Sequence, residues 1–194
     1  PALAAGCGVV LKPASQTPFS ALALGVLSQQ AGLPDGLLNI VTGSATEIGM
    51  EITDNPVIRK ISFTGSTGVG AKLYAQSAPS IKKLSLELGG KSPFIVLEDA
   101  DLDAAVEGVV DAIWFNQGEV CCAGSRLLVQ EGVADCFFAK LTARMATLRV
   151  GDPLDKTMDM GAVVSRKQLA RIDALLAQGV AEGAVLHRAP VALP

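Results

Sequence analysis

Histidine is almost absent from this sequence. Of 194 residues only His187 carries an imidazole. The four cysteines, Cys7, Cys121, Cys122 and Cys136, form no CxxC pair. Zinc and iron–sulfur centres need such ligands at set spacings, so neither is expected. A cysteine hydrolase or acyltransferase would need a base such as histidine, and His187 lies far along the chain from every cysteine. Basic runs are missing too: 16 Lys and Arg stand against 19 Asp and Glu, for a net charge of −3. Nothing therefore points to nucleic acid or an anionic membrane surface. No apolar run reaches membrane-span length, because the longest are interrupted by Gly, Asp or Lys. No signal-peptide pattern is visible. Adjacent Cys121 and Cys122 are poorly placed to bond to each other, and free thiols fit a reducing cytoplasm.

Hydrophobic residues make up 49% of the chain and charged residues 18%. That balance suits a well-packed globular protein with one sizeable core or two small ones. Strand-like and helix-like patterns alternate. Strands are expected over 7–11, 37–41, 60–63, 82–86, 93–97 and 125–130. A helix should start at Thr17-Pro18, with Thr as cap and Pro in the first turn, and stop at Gly32 before Pro34. Ser44 should cap a helix reaching about Thr53, and Gly65–Gly68 should open another reaching Ser77. Leu102, Ala105, Val106, Val109, Val110, Ile113 and Trp114 recur at helical spacing, as do Phe137, Leu141, Met145 and Leu148. A last helix is expected from about Ser165 to Gln178. Short turns between alternating strands and helices argue for a parallel α/β sheet. Gly89-Gly90 is the best candidate boundary.

Two segments carry chemistry. Cys121 sits in Phe115-Asn116-Gln117-Gly118-Glu119-Val120-Cys121-Cys122-Ala123-Gly124-Ser125-Arg126. Glu87 sits in Leu86-Glu87-Leu88-Gly89-Gly90-Lys91-Ser92-Pro93. A thiol attacks an electrophilic carbon, and a carboxylate can activate the water that releases the product. A cysteine in a Gly-flanked loop is also often merely small and buried. A glutamate between two leucines is harder to explain as structure, since strand alternation points it away from the apolar pair. Asn116 reads as a turn residue, Cys122 as a packing neighbour, Cys136 as helix filler, Cys7 as part of a strand and His187 as surface.

These segments resemble the active-site signatures of the NAD(P)-dependent aldehyde dehydrogenase family. So do Gly6-Cys7-Gly8-Val9-Val10-Leu11-Lys12-Pro13, Phe63-Thr64-Gly65-Ser66-Thr67, Glu98–Asp103 and Gly151–Asp155. The resemblance implies part of a Rossmann-like α/β parallel-sheet fold, with 1–89 in the cofactor-binding domain and 90–194 in the catalytic domain. It implies Cys121 as nucleophile, through a thiohemiacetal and a thioester, and Glu87 as the base for hydrolysis. The backbone N–H of Cys121 would serve the oxyanion. A parent protein assembling as homodimer or homotetramer is implied as well. Pro1 and Pro194 suggest an internal fragment, which alone should not turn over.

The coenzyme expectation is NADP or NAD. Gly65 and Ser66 follow a strand and open a helix, where backbone N–H groups attract phosphate. A plain Ser N-cap is the alternative for Ser66. The spacing GxGxxG is absent, and the family binds its dinucleotide without it. The resemblance gives Lys12 the adenine-ribose hydroxyls; otherwise it is a surface lysine before a turn proline. Many NAD-preferring relatives carry Glu where Ser15 stands. A carboxylate would repel a 2′-phosphate and a hydroxyl would not, so NADP should be tolerated. Gln168 and Arg171 match a helix that touches the nicotinamide-side ribose, or simply face solvent.

The stretch 12–24 is similar to succinate-semialdehyde dehydrogenases, which tend to place an Arg six residues before the nucleophile. Here Phe115 occupies that position, beside Trp114. An apolar wall cannot pair a buried carboxylate, so an apolar aliphatic or aromatic aldehyde is expected. The second half, around 111–116, resembles broad-range bacterial aldehyde dehydrogenases, which leaves a hybrid chain open. A catalytically silent member of the fold is the remaining alternative. Glu119 stands where relatives often have Gln, with no reason evident from sequence.

Overall fold

The computed structural model describes residues 1–191. The chain divides into two compact units, one of Pro1–Leu88 and one beginning at Gly89. The first holds strands β1 (Val9–Leu11), β2 (Leu38–Ile40), β3 (Lys60–Gly65) and β4 (Lys83–Leu88), with helices α1 (Phe19–Gln30), α2 (Ala45–Asp54) and α3 (Thr67–Ser77). The second holds β5 (Pro93–Val96), α4 (Leu102–Trp114), β6 (Arg126–Val129), α5 (Glu131–Met145) and α6 (Arg166–Ala181).

Every ladder is parallel: β1 pairs with β2, β3 with β4, and β5 with β6. Parallel neighbours cannot be joined by a tight turn and need a crossover. Each pair has one, supplied by α1, α3 and α4 in turn. Among the described residues the strands form three separate two-stranded ladders, where alternation alone suggested one sheet. Periodicity marks a strand but does not say which strand lies beside it.

Helix boundaries follow local chemistry. Ser44 Oγ accepts the Glu47 N–H at 3.3 Å and starts α2. Asp101 accepts the N–H groups of Asp103 and Ala104 and starts α4. Ser165 Oγ accepts the Gln168 N–H at 3.2 Å and starts α6. α1 ends at a left-handed Gly32, with Gly32 N–H bonded to Gln29 O and Leu33 N–H to Ser28 O. This is the paired hydrogen-bond pattern that glycine permits beyond a helix end. The expected Thr17 cap is corrected: α1 begins one residue later, behind Pro18, without a side-chain cap. The Thr17 N–H is spent on Ala14 O in the preceding turn.

The core of the second unit gathers Val96, Val106, Val109, Phe137 and Leu141, with Phe137 fully buried. These come from the helical stripes of α4 and α5 and from β5. Two ion pairs, Lys140–Asp103 and Arg144–Glu107, bridge the same two helices at their solvent edge. In the first unit α3 lies tightly on β4. A Cβ added at buried Gly70 would fall 2.6 Å from Leu88 Cδ2, so glycine sets the closeness of helix to strand there. The ammonium of Lys82 donates to Asn55 O and Ile58 O, both at 2.7 Å, and holds the turn that delivers β3.

Candidate active site

The carboxyl ends of β3 and β4 lie side by side. The register places Thr64 beside Glu87 and Gly65 beside Leu88, so Glu87 and the Gly65-Ser66 turn share one edge of this ladder. Glu87 is exposed between half-buried Leu86 and Leu88, as strand alternation demands. Among the described residues its carboxylate has no hydrogen-bond or ion-pair partner, which leaves it available to act on something else. Ser66 is the N-cap of α3, its Oγ accepting the Val69 N–H at 3.4 Å. The Phe63 ring lies where a Cβ on Gly65 would fall, 2.5 Å from Cζ.

Lys12 and Ser15 follow the carboxyl end of β1. The Lys12 ammonium donates to Pro13 O at 2.9 Å and to Ser15 Oγ at 3.4 Å. Ammonium and hydroxyl therefore converge on one spot, although they stand three positions apart in sequence.

Cys121 occupies the loop between α4 and β6. The loop is built from both ends. After Trp114 the chain enters a tight turn in which Asn116, Gln117 and Gly118 take φ values of 48°, 57° and 74°. Each left-handed residue other than glycine costs on the order of 1–2 kcal/mol. Such strain persists only where surroundings hold it, as it does at many functional sites. At the far end, buried Ala123 anchors the loop, the Gly124 N–H donates to Ala112 O at 3.0 Å, and Arg126 Nε donates to Lys91 O at 2.6 Å. A Cβ on Gly124 would meet Phe94 Cβ at 3.2 Å and Ala112 Cβ at 3.3 Å. Glycine thus lets the loop sit directly on β5 and α4.

Between these anchors the Cys121 thiol is exposed. It is not a small buried filler. Among the described residues no acceptor takes the Cys121 backbone N–H, so this donor is open to a ligand oxygen. The other three cysteines are exposed as well, which corrects three expectations. Cys7 lies ahead of β1 rather than packed in it, Cys122 is exposed in its loop, and Cys136 is in a helix, α5, but exposed there. His187 is on the surface as expected.

Trp114 and Phe115 part company. Trp114 packs against the core of its unit, whereas Phe115 is 70% exposed at the start of the strained turn. Gln168 and Arg171 lie three residues apart in α6, hence on neighbouring positions of one helix face. Gln168 is half-buried and Arg171 exposed. No group of three His, Cys, Asp or Glu side chains that could hold a metal occurs among the described residues. No described helix is long and apolar enough to cross a membrane.

Sequence reasoning read Asn116 as a turn residue but missed the left-handed run through Gly118 and the segment that braces it. Glu119 Oε2 accepts the Val164 N–H at 3.3 Å, an arrangement no local pattern announces because 45 positions separate the two residues.

The aldehyde dehydrogenase family model matches residues 1–188. The chain belongs to that family. A glutarate-semialdehyde dehydrogenase of Pseudomonas aeruginosa is 52% identical over 184 residues, covering 95% of this chain and 38% of the relative. An NADP(+) succinate-semialdehyde dehydrogenase of Escherichia coli matches to the same extent. Among solved structures, an E. coli NADP-dependent enzyme superposes with a TM-score of 0.92 at 52% identity, over 94% of this chain and 38% of that one. A Burkholderia pseudomallei succinate-semialdehyde dehydrogenase gives a TM-score of 0.93 at 48% identity, over 96% and 39%. The chain thus spans 38% of the length of the curated relatives it matches. Its α/β fold is the fold of these family members.

Proposed function

We propose that the protein carrying this chain oxidises an aldehyde to a carboxylic acid with NADP or NAD, Cys121 being the nucleophile and Glu87 the hydrolytic base. The observation that carries this reading is the exposed thiol on a doubly anchored loop, next to an unspent backbone N–H.

The residues of the first unit suit a dinucleotide. Lys12 Nζ and Ser15 Oγ offer a cation and a hydroxyl within 3.4 Å of each other, matching a ribose hydroxyl pair or a 2′-phosphate. Ser66 and the N-terminal N–H groups of α3 suit a pyrophosphate; Gln168 and Arg171, which belong to the second unit, would take the second ribose. When bound there, a nicotinamide coenzyme would supply the acceptor for the hydride lost from the aldehyde carbon.

The chain's own groups do the rest. The Cys121 thiolate adds to the carbonyl carbon, and the Cys121 N–H donates to the oxygen as it becomes anionic, an interaction that strengthens with charge. When hydride departs and the carbonyl re-forms, the acyl group stays on sulfur as a thioester. Glu87 takes a proton from water. The resulting hydroxide adds to the acyl carbon, the C–S bond breaks, and the acid leaves with the thiolate restored.

Phe115 supports an apolar aliphatic or aromatic substrate, since nothing in its ring pairs a carboxylate. The semialdehyde dehydrogenases at 52% identity favour a second reading, an aldehyde with a carboxylate at its far end. Comparing kcat/KM for hexanal and succinate semialdehyde separates the two. We read the first unit as the coenzyme-binding part and the second as the catalytic part, within a cytoplasmic homodimer or homotetramer. The test of function uses the full-length protein with NADP and an aldehyde in a stopped-flow absorbance experiment. A burst of reduced coenzyme is expected, and it should vanish in Cys121→Ala. An absent wild-type burst, or one undiminished by that substitution, removes the reading.

A further inference from the structure

The nucleophile's loop is braced from outside by residues far along the chain. Glu119 Oε2 accepts the Val164 N–H at 3.3 Å. With its amide turned so that Oε1 faces Gly161, Gln117 accepts the Gly161 N–H at 2.9 Å, and its Nε2 donates to Asn116 O at 3.0 Å. The turn also closes on itself: the Glu119 N–H donates to Asn116 O at 3.0 Å, and Asn116 Nδ2 donates to Glu119 O at 3.2 Å. The strap formed by residues 161–164 fits closely. A Cβ on Gly161 would fall 3.1 Å from Pro153 Cβ and 3.4 Å from the end of the Gln117 amide. The strap leads straight into Ser165, whose Oγ caps α6 at the Gln168 N–H.

We infer that Gln117 and Glu119 are positioning residues that lock the strained turn before Cys121 to the strap before α6. The inference rests on Cys121 being the nucleophile. Three successive left-handed residues would relax if released, and Cys121 follows them by three positions. The same two side chains fix the strap whose next residue caps the helix bearing Gln168 and Arg171. The placement of the thiol and the placement of the coenzyme-side helix are thereby tied. A carboxylate only accepts, and the strap offers only N–H groups to Gln117 and Glu119. The amide oxygen of a glutamine at 119 meets the same demand. What position 119 requires is an acceptor rather than a charge.

The test uses the full-length protein, NADP and an aldehyde, reading the single-turnover burst rate and the coenzyme KM. Glu119→Leu should slow the burst about 10- to 100-fold, the scale of a misplacement near 1 Å, and raise the coenzyme KM. Glu119→Gln should restore both to near wild type, which a role in charge or bulk stability would not predict. Gln117→Leu removes the bond to Gly161 and should behave as Glu119→Leu does, so the inference stays testable if one variant fails to fold. Unchanged burst and KM in the leucine variants overturns the inference. So does a Glu119→Gln protein as slow as Glu119→Leu, or a slowed burst with unaltered coenzyme KM. A wild-type protein without a burst would instead remove the assignment of Cys121, a separate failure.

Discussion

Gly118→Ala probes the strained turn most directly. Gly118 holds φ 74° after two residues already left-handed. An L side chain there costs roughly 1–2 kcal/mol in backbone conformation alone. The added Cβ would also lie 2.9 Å from Ile113 O, a backbone atom in the last turn of α4 that cannot rotate aside. Either the turn or the helix end must move, and the combined loss should be about 2–3 kcal/mol. A domain stable by roughly 5–15 kcal/mol survives that, so the variant should fold with a lowered melting temperature. The relief displaces Cys121, and a shift near 1 Å is worth about a hundredfold in rate. The control is Gly179→Ala in α6, where an added Cβ meets nothing within 4 Å. Alanine should stabilise that helix by up to about 1 kcal/mol and leave the burst alone. Scanning calorimetry and stopped-flow bursts on both variants decide the matter. A Gly118→Ala protein with wild-type melting and wild-type burst would refute the account of the turn.

Glu87→Gln should keep the hydride burst and lower steady-state turnover by about 10²- to 10⁴-fold; equal loss of both would show that Glu87 acts before the thioester. Ser15→Glu should shift the kcat/KM ratio toward NAD, and an unchanged NADP affinity would defeat the role given to Ser15. Arg149 donates two hydrogen bonds to Asp159 from its guanidinium, and its own N–H adds a third, holding the carboxyl down at about 2 against an ordinary 3.8. A carboxyl depressed in the folded state stabilises above its unfolded value and loses that contribution as pH falls from 3.8 through about 2. Asp159→Asn should therefore flatten the acid limb of the stability profile in that window, measured by unfolding against pH. Phe137→Ala empties the fully buried centre of the second unit and should cost about 3–5 kcal/mol, read from the denaturant midpoint.

The elements were legible because each rests on chemistry contained within a few residues. Ser44, Asp101 and Ser165 cap helices with their own side chains, and Val106, Val109 and Val110 bury themselves by spacing alone. Strand neighbours were not legible, because pairing is decided by packing between elements and leaves no local mark. The thiols of Cys7, Cys122 and Cys136 misled for a related reason. Cysteine is apolar enough to be expected inside, and composition cannot tell which face of α5 receives position 136.

Glu87 and Glu119 show where that boundary falls within the site itself. The exposure of Glu87 was readable because its neighbours Leu86 and Leu88 fix the strand face. Glu119 was opaque because its partner is the Val164 N–H, distant in sequence and identical in kind to any other backbone donor. A side chain that acts on backbone demands nothing of the partner's identity, so no residue type at 164 could have revealed it. The one local trace was the turn itself: Asn116 and Gly118, two residue types that tolerate left-handed backbone, flank Gln117, which does not favour it. A non-glycine residue forced into that conformation four positions before Cys121 requires an external brace, and Gln117 reaching Gly161 supplies one. Local conflict with propensity is therefore the sequence mark of a tertiary contact, even where the contact's other end stays silent.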